Sequence, residues 1–242
     1  MQVYNCMGEF VLKKKRKLKK EAKIVIFGAI SLVLIALVVL IVSHVNKFDF
    51  LEALNSNIIT IDDTNICLRE LSYYIIKVEN SGQERAELYN KDNPSAYWNM
   101  YMNDTTESGY VSDIAKKAAV NYCIRDNIYY KRAVLEEYSL TPDEESDLKY
   151  DAQNMYETMT HAQRTMTQLT QADYEIILLK ERLAYKYMSD LTLQDCDDLL
   201  KAYVLKYDIG GEYYESLKNE YNIWIDEELL EHIRVGFITV NN

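Results

Sequence analysis

The chain has 242 residues, room for one medium-sized domain and an appended segment but not for a multidomain enzyme, since a lone domain takes about 100 to 200 residues. Seven Gly and two Pro are few, so helix-breaking punctuation is scarce and a mainly α fold is expected. The net charge of −11 hides a basic start, Lys13 to Lys17, Lys19, Lys20 and Lys23 against Glu9 and Glu21. Everything after it is strongly acidic and repels phosphate backbones, so no nucleic-acid partner is expected.

Residues 1–23 therefore form a basic tail. From Ile24 to Val45 the sequence carries no charge, and at 1.5 Å per residue a helix there would be about 33 Å long, the thickness of a bilayer's hydrocarbon core. This predicts a transmembrane helix over 24–45, with the lipid bilayer as partner. The run leaves through Ser43-His44-Val45-Asn46 without a small-residue cleavage site, which argues for a retained anchor. The basic flank orients it by the positive-inside bias: residues 1–23 cytoplasmic, 46–242 extracytoplasmic, a single-pass protein of the cell membrane.

Residues 46–56 read as a linker. Asn57 to Ile61 is a β-branched strand, Asp62 to Asn65 a turn, Ile66-Cys67 a second short strand, and Leu68 to about Val78 a helix with apolar positions at Leu68, Leu71, Ile75 and Val78. From Asn80 to Ser108 breakers such as Ser81-Gly82 and Asn90 to Pro94 surround an aromatic island, Tyr97-Trp98-Asn99-Met100-Tyr101-Met102, so short helices and loops are expected.

A long helix follows from about Val111 to Tyr138. Thr141-Pro142-Asp143-Glu144 is the chemistry of a helix start, a capping Thr with Pro at the first helical position and an acid at the third. Thr170 to Asp173 repeats that chemistry before a helix ending near Leu191. Helices over Gln194 to Tyr207 and Glu212 to Tyr221, a strand at Asn222 to Ile225 and a helix capped by Asp226 complete the chain. The two strand segments need partners for their backbone groups, and no strong strand signal competes. Ile58 to Ile61 is therefore expected to lie beside Asn222 to Ile225, tying the ends of the domain together.

The chemistry-bearing residues are sparse. His44, His161 and His232 are isolated, Cys6, Cys67, Cys123 and Cys196 are widely spaced, and no phosphate loop, nucleophile elbow or dinucleotide fingerprint is present. No catalytic residue, metal or cofactor is expected. Tyr and Met are adaptable residues for sequence-tolerant binding, so Tyr97, Trp98, Tyr101, Met155, Met159 and Met166 are the candidate client-binding residues.

The order of these elements carries a resemblance. The strand, turn and helix of Ile58 to Val78, Tyr97-Trp98-Asn99, the helix ending in Leu135-Glu-Glu-Tyr-Ser-Leu140, the TPDEE of Thr141 to Glu145 and LTQADYEIILLKERLAYKYMSDL of Leu169 to Leu191 together resemble the N-terminal module of SurA/PrsA-type chaperones, with Tyr213 to Ile233 similar to its closing segment. The resemblance implies a helical domain over 57–242, closed by 212–242, with a minor two-stranded β element. It departs at Ile61-Asp62-Asp63, where that family has a Val-Asn-Gly-like turn. The stretch from Leu191 to Tyr213 is also too short for the family's parvulin-type prolyl isomerase domain. The implied function is a membrane-anchored holder of unfolded or exported polypeptides, without catalysis. A dedicated assembly subunit with one partner is the alternative, and a prolyl isomerase comes third.

Overall fold

A computed structural model describes residues 32–35, 48–103, 108–195, 206–236 and 238. The chain divides into two compact units, Met1–Phe48 and Asp49–Asn242.

The transmembrane expectation is corrected. Among the described residues no helix is long and apolar enough to cross a membrane. A span takes about 20 apolar helical residues, whereas the described part of Ile24 to Val45 is a single helical turn, Leu32 to Ile35, with all four side chains exposed. The rest of that segment lies outside the described residues, as does the basic tail. The long described helices are interrupted by charges such as Lys180, Glu181 and Arg182. The positive-inside bias orients only a segment that spans, so the cell-membrane localisation and the sidedness of residues 46–242 fall with it.

The second unit is mainly helical, with two small sheets. Helix α1 (Phe50–Ala53) is a single turn in the stretch expected as linker, capped by Asp49, whose side chain accepts from the amides of Leu51 and Glu52. Leu54 behind it is fully buried. Strands β1 (Asn57–Ile61) and β2 (Thr64–Cys67) form a tight hairpin through Asp62-Asp63, with Asp62 in the left-handed region at φ 54. Helix α2 (Leu68–Tyr89) follows directly, then the short α3 (Ser95–Trp98) and a second hairpin, β3 (Tyr101–Asn103) and β4 (Ser108–Tyr110).

Helix α4 (Val111–Leu135), α5 (Pro142–Thr158), α6 (His161–Thr167) and α7 (Gln171–Asp195) supply most of the core, with α4 packed chiefly on α7. Both anticipated caps form. Thr141 and Glu144 make a reciprocal capping box with Pro142 at the first helical position, and Thr170 and Asp173 exchange the equivalent bonds. Thr160 and Gln163 make a further box at α6. Helix α8 (Glu212–Lys218), β5 (Ile223–Ile225) and α9 (Glu227–His232), capped by Asp226, end the described chain. Of the helix expected over Gln194 to Tyr207, residues 196–205 lie outside the described residues.

Strand β5 pairs antiparallel with β1, Ile59 opposite Ile225 and Ile61 opposite Ile223, so β1 is the centre of a three-stranded sheet ordered β2-β1-β5. The expected meeting of the two strand segments is thus observed, and the short strand expected at Ile66-Cys67 joins them, so the sheet has three strands where a two-stranded element was expected. Asp62 donates its amide to Asn222 O and accepts from the Asn222 amide through Oδ1, each at 2.8 Å, which locks the register.

A third of the 21 Tyr go to the core. Tyr73, Tyr74, Tyr129, Tyr174, Tyr187, Tyr207 and Tyr214 are all buried, and Tyr129 sits at about van der Waals range of Tyr187 and Tyr214, with centroids 6.2 and 6.0 Å away. Where α2, α4 and α7 meet, Lys180 Nζ donates to Glu70 Oε1 (2.7 Å) and Asn127 Oδ1 (3.2 Å), while Asn127 Nδ2 donates to Glu70 Oε1 (3.2 Å). An ion pair this enclosed stands because each charge has several partners.

Candidate functional site

The aromatic island is placed by a turn written in its own residues. Asn90 accepts from the amides of Asp92 and Asn93 through its side chain, and Pro94 at φ −58 leads into α3. That turn drives the Trp98 indole between α2 and the chain's C-terminal segment. A Cβ on Gly82 would stand 2.6 Å from Trp98 Cη2, and one on Gly236 would stand 2.2 Å from Trp98 Cγ. Both glycines are therefore the empty space the ring occupies. Gly82 breaks no helix, and α2 runs through it to Tyr89 because the indole supplies the packing that a side chain would otherwise give.

Trp98 is only 1% exposed, so this expected client-binding residue is core. Its neighbours are not. Tyr97 is half-buried, edge-on to Trp98 and tilted against the exposed Tyr89. On the hairpin, Tyr101 and Tyr110 face each other across the strands, rings edge-on at 5.4 Å, and stand 58% and 52% exposed. Met102 beside them is exposed as well. Of these, Tyr97 and Met102 line a groove of about 310 Å³ whose walls are mostly apolar, with Val78 and Gly82 of α2, Trp98, and Val111 and Ile114 of α4, and with Ser81 and Arg85 also on its wall. Neither β3 nor β4 has a further sheet neighbour among the described residues.

The methionines do not form the expected open patch. Met159 caps α5 and is 7% exposed, while Met155 and Met166 are half-buried on α5 and α6. Helix α6 packs on α2, where Gln163 Nε2 donates to Asn80 Oδ1 at 3.2 Å, and the groove beside Trp98 includes none of the three methionines. Polar neighbours in the sequence hid this burial. Of the residues outside that candidate set, Met102 lines the groove. Tyr101 and Tyr110 on either side of the turn-forming Asn103-Asp104 and Gly109 were the available signal for a hairpin.

A second concavity, of about 500 Å³, is charged. It lies along α7 and is lined by Glu181, Arg182, Tyr185, Lys186 and Ser189, with Arg125 and Asp126 of α4 opposite. Burial first, then Glu181, push the Asp126 carboxyl up to about 6 against the pull of Arg125 and Lys77. By contrast Glu144 at the α5 start is held down at about 2 by the Thr141 amide and Lys186. His161 and His232 are exposed, Cys123 is buried with its thiol pushed well up by burial, and Cys67 is half-buried. Among the described residues no group of His, Cys, Asp or Glu is arranged to hold a metal ion.

No known protein family, curated protein or solved structure matches the chain.

Proposed function

We propose that the chain is a non-catalytic polypeptide-binding protein that holds apolar segments of unfolded proteins in the groove beside Trp98. The observation that carries this reading is an apolar, partly open groove lined by Tyr97, Trp98 and Met102, next to a hairpin whose Tyr101 and Tyr110 are exposed and whose strands have no further sheet neighbour among the described residues. Such an edge offers main-chain pairing and the groove offers apolar burial, and neither demands a particular client sequence. Tyr carries contact area at small entropic cost because its ring is rigid, which suits weak, reversible holding. The acidic body supports the role by keeping a loaded complex apart from its neighbours. The resemblance of residues 57–191 to a chaperone module points the same way.

The test is suppression of aggregation of an unfolding protein without ATP, comparing the wild type with a Tyr101→Ser, Tyr110→Ser double variant. Losing two aromatic contacts of roughly 0.5–1.5 kcal/mol each weakens holding about five-fold or more. The melting temperature should barely move, because a solvent-exposed cross-strand pair contributes less than about 1 kcal/mol. Undiminished holding by the double variant would refute the groove. Binding confined to one stoichiometric partner would replace the reading with that of a dedicated assembly subunit.

A further inference from the structure

The charged cleft along α7 has a defect in its hydrogen bonding that its lining does not repair. Every cation on its wall already has a carboxylate: Arg125 bonds Asp126 and Asp208, Arg182 bonds Asp151, and Lys186 bonds Glu144. Asp126 uses one oxygen only. Its Oδ1 accepts from Arg125 Nε at 2.9 Å, while Oδ2 is buried without any hydrogen bond, in a side chain 2% exposed. The hydroxyls of Tyr74 on α2 and Tyr214 on α8, both in the electrostatic field of Asp126, are buried without partners too. An unpartnered buried carboxylate oxygen is costly, and a cationic N–H donor is the group that relieves it most.

We infer that this cleft binds a small organic cation, an alkylammonium or alkylguanidinium, whose N–H groups donate to Asp126 Oδ2. The stem lies against Leu178 and Met188, which line the same cleft. An anion is disfavoured, since Asp126, Glu144, Glu181 and Asp190 outnumber Arg125, Arg182 and Lys186 there and those three are already engaged. The site is separate from the groove beside Trp98, with no lining residue in common.

Binding requires the ionised carboxylate, so the cleft is also pH-dependent. The groups that face Asp126 are Arg125 and Cys123 on its own helix, Lys77, Tyr73 and Tyr74 on α2, Glu181 on α7 and Tyr214 on α8, while Asp208, after the α7 segment, shares Arg125 with it. With the Asp126 carboxyl at about 6, ionisation is nearly complete at pH 7.5 and reduced on the order of ten-fold at pH 5.

Calorimetric titration of the full chain with n-butylammonium, n-butylguanidinium, n-butanol and n-butyrate tests this. The two cations are expected to bind saturably at pH 7.5 and the alcohol and carboxylate not to bind. Asp126→Asn, which keeps the shape and an acceptor for Arg125, should weaken the cations ten-fold or more. Should that variant fail to fold, the wild type still decides the matter through a loss of about ten-fold between pH 7.5 and 5. Silence from both cations, equal heats from butanol, retention of binding in Asp126→Asn, or affinity independent of pH would each overturn the inference.

Discussion

A chain ending at Tyr221 is expected to lose the cooperative thermal transition of the Asp49–Asn242 unit. The removed residues include β5, which covers one edge of the central strand β1, and the Asp226 amide bonded to Ile58 O. They include Ile233, Val235 and Ile238, all at most 2% exposed, each worth about 1.5–3 kcal/mol when buried. Glu79, fully buried on α2, loses the amides of Gly236 and Ile238, and Lys116 loses the carbonyls of Leu230 and Ile233. Those losses together reach the about 5–15 kcal/mol that stabilises a typical domain. Circular dichroism on heating should show a broad, non-cooperative change, whereas a melt matching the full chain would mean that β5 and the tail are ornaments on a fold that stands without them.

Gly236→Ala is expected to destabilise the Asp49–Asn242 unit strongly for a single added methyl group. Gly236 sits at φ +96, which a side chain disfavours by roughly 1–2 kcal/mol. Its new Cβ would also fall within 2.2–2.7 Å of Trp98 Cγ, Cδ1 and Cβ, the rigid root of the side chain rather than a flexible end. Overpacking of that kind adds about 1–3 kcal/mol. Trp98→Ala alone costs about 3–5 kcal/mol through the cavity it leaves. In that background the contacts with Cγ and Cδ1 disappear and only the 2.7 Å approach to Cβ remains, so adding Gly236→Ala should cost much less than it does in the wild type. A double-mutant cycle by denaturant unfolding measures the coupling, and strict additivity of the two substitutions would deny that Gly236 exists to admit the indole.

Local chemistry was legible and distant chemistry was not. Thr141-Pro142-Asp143-Glu144, Thr170 to Asp173 and Asp226 announce helix starts because a cap bonds residues two or three positions away, and all three form. The meeting of β1 and β5 followed from asking where exposed ladder groups find partners. Gly82 misled because a glycine reads locally as a breaker, yet its reason lies in Trp98, far along the chain. In a sequence with so few glycines, one inside a helical pattern signals close approach as well as a stop. Met159 misled for the opposite reason, a residue in polar company that packs inward. The apolar run from Ile24 predicted a span by hydropathy alone, and the described part of it is one exposed turn. Nothing in the order of residues marks Asp126, whose meaning comes from Tyr74, Glu181 and Tyr214 brought together by three other helices.

The polypeptide-binding reading stands or falls on where a client sits. Methyl spectra of the full-length protein, labelled at Ile, Leu, Val and Met and titrated with a reduced and alkylated, permanently unfolded polypeptide, report that position residue by residue. Progressive shifts at Val78, Met102, Val111 and Ile114, with Leu178 and Met188 in the charged cleft unchanged, are the predicted result. Shifts confined to Met155 and Met166, or no shifts at saturating polypeptide, would contradict it.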